Sequence, residues 1–305
     1  MNIDEAIGIY ASHCEVLNFS PQSIKAQNNY LKRFGKFLER NSIADVLKVT
    51  ADHLQFFQQD LYYEKSERGR QRSVTNQTQI LIAVRNLYKL LHSDGRLKTD
   101  PSENIQYPKK PDRLPKSILT IKEAERVIEA PDIETSLGYR DRTILEVFYC
   151  TGIRRAELLA LKLTDVNLDD ELLRINHGKG AKDRVVPLSK TACEYLANYI
   201  SGIRPEILKG KACDVLFVSN RRNGPIGGTT LDTMLEKYGR LARLKQKLTA
   251  HVWRHTCATH MVQNNANLRH VQEMLGHRSL VTTEQYLRLT ITDLKDAHSR
   301  FHPRK

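Results

Sequence analysis

The chain has 305 residues, 40% of them hydrophobic, with a formal net charge of +13 and an isoelectric point near 9.5. That length holds two ordinary domains, and the positive excess suits a polyanionic partner, usually nucleic acid. Five cysteines at irregular spacing, with no Cys-x-x-Cys pair, argue against a disulfide frame and a cysteine-bound zinc and for a reducing compartment; with no signal-peptide pattern in MNIDEAIGIY and no run near the ~20 apolar residues of a membrane span, a cytoplasmic protein is expected.

Residues 1–106 read as a helical domain. A first helix is expected over about 3–17. Ser20-Pro21 supplies an N-cap and a proline at the first helical position, opening a run to about Arg40 in which Leu31, Phe34 and Phe37 recur at helical spacing. Thr50 opens a run with Leu54, Phe57, Leu61 and Tyr62. Ser73 opens another with Ile80, Ile82, Val84, Leu87, Leu90 and Leu91. Residues 107–117, YPKKPDRLPKS, set three prolines among basic residues and read as a linker.

Residues 118–305 read as a second domain. Thr120-Ile-Lys-Glu123 is a capping box, and helix signals continue through RDRTILEVFYC and, after Thr151-Gly152, RRAELLAL. The period then changes. ELLRIN and RVVPL are short β-branched runs on either side of HGKGAKD, which reads as a glycine-rich hairpin turn, and DVLFVSN is one more short strand. Helices are expected near 190–202, 229–244, 251–264, 267–275, 281–288 and 291–300. The fold class is therefore mostly α with a small β-sheet in the second domain. Charge is uneven too: residues 1–112 hold 16 Lys+Arg against 13 Asp+Glu, and residues 113–305 hold 32 against 22. The stronger electrostatic contacts belong to the second part.

Several groups suit chemistry on a phosphodiester. Arg154 stands at a helix start, where phosphate is favoured, with Glu157 three residues on to orient the guanidinium; taken alone, the pair also fits an ordinary salt bridge. Lys179 lies between Gly178 and Gly180 on the hairpin turn, with Lys182 and Arg184 alongside. HVWRH sets His251 and His255 four apart with Arg254 between them. Zinc is disfavoured there, because the glutamate of a His-Glu-x-x-His site is missing and a cation sits inside the motif. His255 reads as a histidine bonded in the core. Leu275-Gly276 reads as a helix C-cap, leaving His277 just beyond it and Tyr286 nine residues further on.

With these boxes in order, the second domain resembles the tyrosine recombinase, or phage integrase, family over about 115–300. TGIRRAELLAL resembles its first arginine box, HGKGAKDRVVPL its lysine hairpin, HVWRHTCATH its His-x-x-Arg box, and LGHRSLVTTEQYLRL its histidine-to-tyrosine box. Arg155, Ala156 and Trp253 depart from the usual pattern, none at a catalytic position. The resemblance implies an N-terminal core-binding domain, an α+β catalytic domain, and six active-site residues: Arg154, Lys179, His251, Arg254, His277 and Tyr286. It implies a compact Xer-type or transposon-type member that cleaves and rejoins DNA through a 3′-phosphotyrosine. Lys182, Arg184 and Arg155 would touch DNA, and Glu157 would orient Arg154. No cofactor and no metal are implied. The implied partners are double-stranded DNA with paired half-sites and three further subunits, identical or of a related recombinase. The tail stripe Ile291, Leu294, Ala297 and Phe301 would dock on a neighbouring protomer. A catalytically silent DNA-binding regulator and a type IB topoisomerase stay open at this point.

Overall fold

The computed structural model describes the chain except residues 65–68, 70, 110–117, 177–182, 222, 265 and 277–305. The chain divides into two compact units, Met1–Leu114 and Pro115–Lys305. The expected helices near 281–288 and 291–300, and most of the expected linker, lie outside the described residues. Among the described residues, no helix is long and apolar enough to cross a membrane.

The first unit contains α1 (Ile3–Val16), α2 (Pro21–Arg40), α3 (Ala51–Tyr63) and α4 (Val74–Ser93). Each starts on a polar side chain. Asn2, Ser20, Thr50 and Ser73 accept from the amides of Glu5, Ser23, His53 and Asn76, so each helix has one first-turn donor satisfied locally. The apolar stripes then meet. Phe34 packs edge-on against Phe57 at 4.9 Å and against Tyr88 at 6.1 Å. Tyr88 is fully buried, and its hydroxyl donates to the Val46 carbonyl at 3.2 Å. Tyr62, expected on the apolar face of α3, is instead 54% exposed. Leu54, Phe57 and Leu61 already define the buried face, and Tyr62 stands about 100° round the helix from Leu61. Tyr107, expected to begin the linker, belongs to this unit: the Arg85 guanidinium lies 5.8 Å from its ring centre and donates to its hydroxyl at 3.2 Å.

The second unit opens with α5 (Ile121–Glu129), where Thr120 and Glu123 form the expected reciprocal cap. Helix α6 (Ser136–Thr151) packs against α5 and the later helices α8 (Lys190–Asn198) and α11 (Ala250–Gln263). Being surrounded, it buries charged groups, and they are paired. Arg140 donates to Asp141 from Nε and Nη2 at 2.9 and 2.6 Å, and to the Val218 carbonyl at 2.9 Å. Tyr238 donates to the second Asp141 oxygen at 2.9 Å.

After α7 (Arg155–Ala160) come three antiparallel strands in the order β1 (Val166–Asn167), β2 (Leu172–Ile175), β3 (Arg184–Pro187), with Ile175 opposite Arg184. A two-stranded ladder pairs β4 (Val218–Ser219) with β5 (Gly224–Pro225). The helix expected near 190–202 runs further: α8 passes through a π-helical segment at Tyr199–Ile203 into α9 (Arg204–Leu208). Pro205 lacks the N–H that an unbroken α-helix would donate to Ser201, and the widened segment accommodates it. Helices α10 (Gly228–Leu241), α11 and α12 (Leu268–Leu275) complete the described fold. The architecture is mostly helical with small sheets in the second unit.

Phe34 joins α2 to both α3 and α4, so Phe34→Ala should cost about 3–5 kcal/mol of stability. Urea unfolding followed by circular dichroism checks this. A loss under about 1 kcal/mol would contradict the packing described.

Candidate active site

Helix α6 ends on Gly152 with φ +57°, a left-handed C-cap. A Cβ there would also lie 2.8 Å from Leu275 Cδ2 and 3.2 Å from Cys257 Sγ, so the turn and the close approach both call for glycine. The turn buries Ile153 completely and makes Arg154 the N-cap residue of α7. One turn later stands Glu157, buried, with a carboxylate that four donors reach. Arg154 reaches it through its backbone N–H at 2.8 Å and Nη1 at 2.7 Å. Arg184, the first residue of β3, reaches it with a two-pronged fork at 3.0 and 2.8 Å. Burial alone would raise the Glu157 pKa, but the bonds from Arg184 and Arg154 outweigh it and hold the carboxyl down at about 2.

The same arginines converge on the end of α12. The last carbonyls of a helix have no intrahelical donor and carry the negative end of its dipole. Arg184 Nε donates to the Met274 carbonyl at 2.8 Å, Arg254 Nη2 to Leu275 at 2.7 Å, and Arg154 Nη2 to Gly276 at 2.9 Å. Arg254 also reaches the Gly152 carbonyl at 2.7 Å, which ties the end of α6 to the end of α12. Gly276 is the expected C-cap, with φ +65°, and a Cβ on it would come within 3.2 Å of the Arg184 side chain.

Helix α11 positions Arg254 because it is itself fixed on several sides. Trp253, fully buried, donates to the Leu145 carbonyl at 3.2 Å. Thr256 Oγ accepts from the Leu119 amide at 3.1 Å, and His260 Nε2 meets the Leu119 carbonyl at 2.8 Å. A carbonyl only accepts, so Nε2 carries the proton and Nδ1 accepts from Tyr149 Oη at 2.9 Å. Burial lowers the His260 pKa and keeps the ring neutral. His260 is thus a bonded core histidine of this helix, and His255, expected in the core, is half-buried. His251 is exposed on the first turn of α11. Burial pushes the thiols of Cys150 and Cys257 up to about 12, so both stay protonated and are poor nucleophiles near neutral pH.

Of the residues singled out in the sequence, Arg154, Glu157, Arg184 and Arg254 thus form one connected cluster. Arg184, expected at a phosphate, turns its guanidinium inward. Arg155, also expected on DNA, is exposed, pairs with Asp232 at 2.7 Å and lies over Gly228. Lys179, Lys182, His277 and Tyr286 lie outside the described residues. Among the described residues, no group of three or more His, Cys, Asp and Glu side chains is arranged to hold a metal. The sequence gives no sign of the three carbonyl acceptors, because any residue has one; only the Gly276 C-cap marks where they lie.

Residues 117–292 match the sequence pattern of the phage integrase family. The tyrosine recombinase XerD of Staphylococcus haemolyticus is 33% identical over 287 residues, 93% of this chain and 94% of that protein. The crystal structure of XerA recombinase is similar with a TM-score of 0.53 at 28% identity, covering 99% of each chain. The pre-cleavage complex of XerH site-specific recombinase bound to its difH substrate shares the fold, with a TM-score of 0.70 at 24% identity over 92% of this chain and 80% of that one.

The depressed Glu157 pKa has a consequence for stability. A carboxyl held below its unfolded value contributes stability above pH 4.5, and that contribution is lost as pH falls from 4.5 toward about 2. In urea titrations, Glu157→Gln should be less stable than wild type at neutral pH, and the gap should shrink as pH drops through this window. A gap that stays constant with pH would contradict the ion-paired state of Glu157.

Proposed function

The chain belongs to the phage integrase family and is a tyrosine-type site-specific recombinase, and from that premise we propose how its residues cut and rejoin DNA. Tyr286 Oη attacks a scissile phosphorus while His251 takes the phenolic proton. The bond from phosphorus to the 5′-oxygen breaks, Lys179 protonates that oxygen, and a 3′-phosphotyrosine and a free 5′-hydroxyl result. Arg154 and Arg254 meet the non-bridging oxygens, where charge builds in the transition state, and His277 donates to the same phosphate. The phosphotyrosine keeps the energy of the broken bond, so a 5′-hydroxyl from another strand reverses the step and completes exchange without ATP. The arginines supply the charge stabilisation a metal would give, so no metal and no cofactor enter this scheme.

One observation carries the reading. Arg154 and Arg254, 100 residues apart in sequence, bond to the consecutive carbonyls of Gly276 and Leu275, directly before His277. With Arg184 of the lysine hairpin box on the neighbouring Met274 carbonyl, all four boxes have a member at one point. Arg154 keeps 27% of its side chain exposed, which leaves it open to an anion. Residues 1–106 are assigned to core binding, 107–117 to the linker and 118–305 to catalysis. The partner is double-stranded DNA with paired half-sites. Four subunits, identical or of a related recombinase, would act on two duplexes, with the stripe Ile291, Leu294, Ala297 and Phe301 docking on the next protomer. The resemblance to an Xer-named relative along most of its length supports the compact Xer-type reading.

The test uses a nicked duplex carrying the site found by footprinting the DNA that flanks the coding sequence. Wild type should form a protease-sensitive covalent complex, and Tyr286→Phe should bind equally well and form none. Lys179→Ala should cleave a duplex with sulfur at the 5′-bridging position far faster than the normal duplex, because a thiolate leaves without an acid. Covalent complexes from Tyr286→Phe would refute the nucleophile, and equal impairment on both duplexes would refute the acid. Relaxation of plasmid lacking the site would favour a topoisomerase, and binding with no covalent complex a silent regulator.

A further inference from the structure

Glu157 places a full negative charge beside Arg154. As an isolated pair the two would be close to neutral, a weak counter-ion for a phosphodiester. Arg184 changes that sum: with its guanidinium on the same carboxylate at 3.0 and 2.8 Å, the group Arg154–Glu157–Arg184 carries net +1. The Arg184 side chain is 11% exposed and that of Glu157 5%, so the fork is directed into the protein. Its third arm, Nε, holds the Met274 carbonyl at 2.8 Å, and Gly276 has no side chain to block the Arg184 stem.

We infer that Arg184 is a positioning residue for strand cleavage: it balances Glu157 so that Arg154 stays both oriented and positive toward the phosphate, and it pins the last turn of α12, without itself touching DNA. Arg184 stands five residues after Lys179 and two after Lys182, and it opens strand β3. One guanidinium therefore ties the strand that follows the lysine hairpin to the acid of the first arginine box and to the turn before His277. A lysine here would keep the charge but not the planar three-way reach, so the two residues are not equivalent at this position. The role rests on the reading that Arg154 serves the phosphate attacked by Tyr286.

The experiment compares wild type, Arg184→Lys, Arg184→Met and the double variant Arg184→Met/Glu157→Gln on the nicked duplex described above. It measures DNA affinity, the dependence of affinity on salt, and the single-turnover rate of covalent complex formation at saturating protein. Affinity and salt slope should stay near wild type. The rate should fall on the order of 10–100-fold for Arg184→Met, the range for groups that orient a functional contact rather than make it, and less for Arg184→Lys. The double variant should regain rate over Arg184→Met, because the uncompensated carboxylate is gone. Should Arg184→Met fail to fold, Arg184→Lys and the double variant carry the test, since neither leaves Glu157 facing a lost charge. A salt slope lowered by about one, with a full rate once bound, would make Arg184 a phosphate contact and overturn the inference. So would a wild-type rate in Arg184→Met and Arg184→Lys, or a double variant no faster than Arg184→Met. If wild type itself forms no covalent complex, the reading of Tyr286 falls and this role falls with it; wild-type cleavage with unimpaired Arg184 variants removes this role alone.

Discussion

Helix α12 ends in three carbonyls that receive no backbone donor among the described residues, and the candidate site is built around them. Met274, Leu275 and Gly276 each receive a guanidinium, from strand β3, helix α11 and the start of α7. A hydrogen bond with one charged partner contributes about 1.5–3 kcal/mol, so each is more than incidental to stability. The dependence runs both ways. The carbonyls gain donors, and the arginines gain fixed acceptors that set their orientation before any DNA arrives. Orientation fixed in advance is what an electrostatic catalyst requires, because groups that must reorganise during reaction return part of the stabilisation they offer.

Glu157 is the second half of the same device. Its carboxylate accepts from Arg154 and Arg184 and sits where water hardly reaches. A buried carboxylate with one partner removed is strongly destabilising, so Glu157 and its arginines depend on one another. The glycines serve this geometry. Gly152 lets α6 turn back at a point where Cys257 and Leu275 already crowd the space, and Gly276 lets the Arg184 stem pass. The neutral, doubly bonded His260 and the buried Trp253 hold α11 in place, so that Arg254 reaches Gly152 and Leu275 together.

Much of this was legible in the sequence because it is written in local chemistry. Ser20, Thr50, Ser73 and Thr120 act as N-caps, Gly276 ends α12, and Glu157 bonds Arg154 at a spacing of three. What the sequence hid is long-range or backbone-borne. A carbonyl acceptor has no residue signature, so the convergence of three arginines on α12 cannot be read from the boxes. Arg184 follows a glycine-rich hairpin turn and is expected to touch DNA, and only the fold reveals Glu157 as its partner. Tyr62 matched an apolar run but fell off the buried face of α3. His260, the last residue of the HVWRHTCATH box and not singled out in the sequence, proved to be a bonded core histidine of α11. The two-residue strands β1 and β5 are too short to leave a period-2 signal.

Hydrogen exchange of residues 268–276 in the DNA-free protein tests the central claim most directly. If three guanidiniums hold the end of α12, amides there should be protected in wild type. Exchange should then speed up in each of Arg154→Met, Arg184→Met and Arg254→Met, with the rest of the second unit little changed. Unchanged protection of this helix after the loss of each guanidinium would contradict the account.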